Sequence, residues 1–79
     1  MEKRFKIIIS SDLQYNDLCA ELYFDDQFVA IVTQEKGLEN LEIEIHPPKN
    51  HSFWNFNLSE FQNILKSAQE LLQKMQKLP

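Results

Sequence analysis

The sequence has one cysteine, one glycine and three prolines among its 79 residues. A lone thiol, Cys19, excludes an intramolecular disulfide, so the fold must be held by its core, and a reducing cytoplasm is the expected compartment. A single glycine, Gly37, cannot build a G-x-G-x-x-G turn or a P-loop, and so few glycines and prolines exclude collagen-like and low-complexity chains. No apolar run reaches the roughly 18 residues of a membrane span. Lys3, Arg4 and Lys6 are followed by only three consecutive isoleucines, too short an apolar core for a signal peptide. What is present, 43% hydrophobic and 25% charged residues, is the balance of a folded chain, and this length makes a single domain over residues 1–79.

Positive charge is scarce in the middle of the chain. Between Ile7 and Pro48, nine acids (Asp12, Asp17, Glu21, Asp25, Asp26, Glu35, Glu39, Glu42, Glu44) face one base, Lys36, whereas both ends are basic and the net charge is −4. Nucleic-acid proteins carry a basic stripe that this centre lacks, so direct nucleic-acid binding is not expected. The same field attracts a basic protein and speeds its encounter.

Periodicity sets the fold. Lys3 to Ser10 alternates Phe5, Ile7, Ile9 against Lys6, Ile8, Ser10, a strand rich in β-branched residues. After the polar turn Ser11–Asn16, Leu18 to Phe24 alternates again, with Leu18, Ala20, Leu22 and Phe24 inward. Asp25-Asp26-Gln27 breaks the chain before a third strand, Phe28–Glu35, with Phe28, Ala30 and Val32 inward, and the second and third strands form a hairpin. Gly37 marks a turn that needs positive φ. The fourth strand, Leu41–His46, has Leu41, Ile43 and Ile45 inward and ends at Pro47-Pro48, which give no N–H to a ladder. His46–Asn57 reads as a loop whose Phe53, Trp54 and Phe56 cover one end of the core. From Ser59 the period becomes helical, with Phe61, Ile64, Leu65, Ala68, Leu71, Leu72, Met75 and Leu78 on one stripe. The helix starts either at Asn57 as N-cap, with Glu60 at N3 and Phe56 stapled to Phe61, or at Ser59 with Gln62 at N3.

The expected fold class is therefore α+β: a four-stranded antiparallel β-meander with one C-terminal helix packed on one face, ββββα in two layers. The other face is left bare. By alternation it carries Lys6, Ile8, Cys19, Glu21, Tyr23, Val29, Ile31, Thr33, Glu35, Glu42, Glu44 and His46. Ile8, Tyr23, Val29 and Ile31 would make an apolar strip rimmed by glutamates, the anatomy of a partner-binding or self-association patch.

Catalytic chemistry finds little support. Cys19 stands beside Glu21 instead of a cation and has no reason for a lowered pKa. His46 and His51 lack the spacing of helical metal ligands, and with one cysteine no zinc site is expected. Glu42 and Glu44 read as an acidic patch, since 79 residues hardly build the groove an acid/base pair needs. Trp54 with Phe53 and Phe56 lacks the basic groove of a base-stacking platform. No enzyme, cofactor or metal is expected.

Leu18–Tyr23, Phe28–Gly37 and Leu41–Ile45, followed by Leu58-Ser59-Glu60-Phe61 and a helix, resemble a family of small bacterial proteins, some of them similar to immunity proteins encoded beside polymorphic or contact-dependent toxins. The resemblance covers Asp17 to Leu72 and supplies no catalytic residues. It implies a single-domain protein that binds and neutralises a cognate toxin. With the charge pattern, the expected partner is a basic protein held by Glu21, Tyr23, Ile31, Glu35, Glu42 and Glu44, without nucleic acid or membrane. The alternative is a small homo-oligomeric adaptor, a homodimer for example, joined through the open sheet face.

Overall fold

The computed structural model describes residues 4–11 and 17–76. The expected strand start at Lys3, residues 12–16 of the expected turn and the last stripe residue, Leu78, lie outside them. Four strands, β1 (Phe5–Ser10), β2 (Cys19–Phe24), β3 (Gln27–Thr33) and β4 (Glu42–Ile45), precede one helix, α1 (Leu58–Gln76). The strands form one sheet in the order β1-β2-β3-β4, every neighbouring pair antiparallel. This is the ββββα meander that the periodicity predicts.

Local chemistry explains each turn and cap. The β2–β3 hairpin closes through Asp25 and Asp26, both at positive φ (50° and 68°), the backbone of a two-residue turn that follows the twist of the strands and that aspartate tolerates. Gly37 has φ of 98° and stands in a turn closed by Gly37 N–H to Gln34 O and Asn40 N–H to Gly37 O, each 3.0 Å. A Cβ there would meet nothing within 4 Å, so its conformation alone calls for glycine. Of the two helix starts, the structure selects Asn57: its Oδ1 accepts the Glu60 N–H at 3.0 Å, and Phe56 stacks on Phe61 with ring centroids 5.2 Å apart. Cap and staple together fix the chain direction into α1.

The helix lies over β1 and β2. Its Ala68 and Leu72 bury against Ala20, Leu22, Val29, Ala30 and Val32, with Ile7, Ile9, Ile64 and Leu65 around them. Phe5, Phe24, Trp54, Phe56 and Phe61 close one end of this core ring against ring. Phe53, expected with them, is instead 71% exposed.

Two further expectations are corrected. A bulge between Leu22 and Tyr23 leaves Tyr23 opposite Phe28 but Leu22 opposite Ala30. The extra residue shifts the alternation of β3, so Val29 enters the core and Phe28 joins Tyr23 on the open face. The second correction concerns β4. Ile43 stands opposite Val32 and Ile45 opposite Ala30, on the helix side as expected, yet they are 40% and 56% exposed. One helix has the width of about two strands and cannot cover four.

Candidate functional site

The bare face is organised by cross-strand rows. Ile8, Glu21, Ile31 and Glu44 form one continuous row across all four strands, and Thr33 with Glu42 forms the next. Ile31 is only 6% exposed and Val29 is in the core, so the expected apolar strip is reduced to Ile8 and a half-buried Tyr23. What the face offers instead is carboxylate chemistry set between buried neighbours.

Glu21 is fixed at its centre. One carboxylate oxygen accepts the Tyr23 hydroxyl and the other the Ser10 hydroxyl, each at 3.0 Å. The same bond holds the Tyr23 phenol above its usual pKa, because losing its proton would set an anion against Glu21; burial adds to the effect. Tyr23 is braced from the other side by Phe28, edge to face at 5.6 Å, and Phe28 in turn packs on the His46 ring at 5.1 Å.

The remaining acids gather toward β4. Thr33, Glu35, Glu42 and Glu44 surround one open hollow. Glu35 accepts the Asp17 N–H at 3.4 Å, Glu42 pairs with Lys36 at 2.9 Å and Glu44 with His46 Nε2 at 2.8 Å. The pairs of Glu42 and Glu44 are solvent-exposed and hold their partners weakly, so an incoming cation can replace them. All six candidate contact residues thus belong to one face, but Ile31 serves as its floor and not as a contact of its own.

Cys19 has no exposed surface and its thiol donates to the Asp17 carbonyl at 3.6 Å. Among the described residues no group of three or more His, Cys, Asp or Glu could hold a metal ion, and no helix is long and apolar enough to cross a membrane. His51 is exposed. Sequence reasoning missed Phe28 and Ser10 as supports of this face. The signal for Phe28 was present: a two-residue Asp25-Asp26 turn, counted outward, places Phe28 opposite Tyr23 and hence on its side of the sheet. Comparison with protein-family models, with curated proteins and with solved structures gives no match.

Proposed function

We propose that this chain is a non-catalytic protein-binding inhibitor, an immunity protein that neutralises a basic bacterial toxin in the cytoplasm through its acidic sheet face. The observation that carries the reading is the grouping of Glu35, Glu42 and Glu44 around one hollow, continuous with the pinned Glu21, on the face that the helix leaves bare. Such a surface steers a cationic protein into encounter, and a carboxylate already held in place loses less freedom when an arginine or lysine meets it. Glu21 and Tyr23 supply the ordered centre; Glu35, Glu42 and Glu44 supply the field.

The test is affinity capture from the source cells at low and high salt, with the E42K/E44K double variant beside the wild type. A stoichiometric basic partner, released by salt and lost with the double variant, is the expected result. Equal capture by the variant overturns the site. Recovery of the chain alone as a defined dimer overturns the inhibitor reading in favour of the self-associating adaptor.

A further inference from the structure

We propose that the partner engages this protein by adding an extended strand to the outer edge of β4, and that the added strand alternates basic and apolar residues. This inference deepens the protein-binding reading above and rests on it. Among the described residues no strand pairs with the outer side of β4. The His46 N–H donates to the Val29 carbonyl at 2.8 Å, so the antiparallel alternation turns the backbone groups of Glu42 and Glu44 toward β3. Those of Ile43 and Ile45 face outward, ready for another ladder.

The side chains say which strand fits. Glu42 and Glu44 rise on the open face, and Ile43 and Ile45 on the helix side, the latter pair 40% and 56% exposed. Beside them a groove of mixed lining runs between β4 and α1, where Val32, Leu38, Leu41 and Leu65 give an apolar floor next to the polar Gln69 and Gln73. An incoming strand lays alternate residues beside each set, so bases on one side meet the glutamates while apolar side chains on the other fill the groove. A second copy of β4 is a poor occupant. The antiparallel registers that overlap most of β4, with Ile43 opposite Ile43 or Ile45 of the other copy, set glutamates of the two copies opposite one another, and like charges directly opposed repel.

The probe is an acetylated, amidated heptapeptide of alternating valine and lysine, with a control peptide of equal composition in which the valines form one block and the lysines another. Amide hydrogen exchange in the full chain is followed residue by residue. The alternating peptide is expected to slow exchange at Ile43 and Ile45 at least about tenfold, in a salt-sensitive way, and the block peptide to leave both unchanged. Ile45→Lys, which places a charge on the apolar side of the edge, should abolish the effect while core exchange at Leu22 stays as in the wild type.

Salt-sensitive shifts at Glu35, Glu42 and Glu44 without protection of Ile43 and Ile45 would overturn strand addition and leave the acidic-face reading standing. Protection that grows with protein concentration in the absence of peptide would overturn it in favour of a second copy. Equal effects from both peptides, or none from either, overturn it as well. The acidic-face reading falls on its own experiment, when the E42K/E44K variant captures the partner as well as the wild type.

Discussion

Phe28 stands directly opposite Tyr23, ring edge to ring face at 5.6 Å, while its neighbour Val29 has no exposed surface. One extra residue in β3 thus serves two sides of the sheet: it adds a valine to the core and sets an aromatic brace against the tyrosine that pins Glu21.

Tyr23→Phe removes one of the two hydroxyls on Glu21. Unfolding by urea should show a loss of about 0.5–1 kcal/mol at neutral pH, the low end for a hydrogen bond to a charged or neutral group because the site is half exposed. The phenol pKa is raised in the folded chain. Its contribution to stability is therefore complete below the unfolded value near 10 and is lost as pH rises through the higher folded value. The wild type should weaken more steeply than the variant over that alkaline range.

Asn57→Ala deletes the side-chain acceptor of the Glu60 N–H. The expected cost is about 1 kcal/mol, read as a fall in Tm of about 4–8 °C, with Asn57→Asp retaining most of the stability. Equal losses for both variants would show that the cap is not what Asn57 provides.

Leu72→Ala opens a cavity where a fully buried helix side chain meets Ala20, Leu22 and Val29. A loss of about 2–5 kcal/mol is expected, a large part of the stability of so small a domain. Ile45→Ala, on the uncovered half of the sheet, should cost well under half as much in the same denaturant series.

Gly37→Ala should destabilise the chain by about 1–2 kcal/mol, entirely through backbone conformation, because φ is 98° and nothing stands near the new methyl. Gly37→Asn should recover part of that loss. Similar stability of all three chains in thermal unfolding would contradict the conformational argument.

Most of the architecture was legible because each strand has its own period. Ile7 and Ile9, Ala20 and Leu22, and Ala68 and Leu72 face where alternation and helical spacing put them. Failures arose where side-chain identity does not determine placement. A bulge is a property of two paired strands, and nothing in Phe28-Val29 alone announces it. The exposure of Ile43 and Ile45 depends on where α1 lies across the sheet, and their apolar character says only which side they favour. Phe53 reads like Trp54 and Phe56 by composition, yet it stands 71% exposed. At the site, the acidic character of the face was readable from Glu21, Glu42 and Glu44 in register. The burial of Ile31 to 6% was not, because alternation says which side a residue faces and not how far its neighbours cover it.

Trp54 is the chain's one tryptophan. Its indole N–H donates to the His46 carbonyl, and its ring stacks on Phe56 with centroids 5.1 Å apart. The molecule therefore carries a native fluorophore at the seam between the sheet's last strand and the helix's first turn. Its emission colour and quenching report the docking of the 46–57 connection without any engineered label. A ligand that pries this end open will announce itself optically, whereas one that settles on the far side of the sheet will leave the spectrum unchanged.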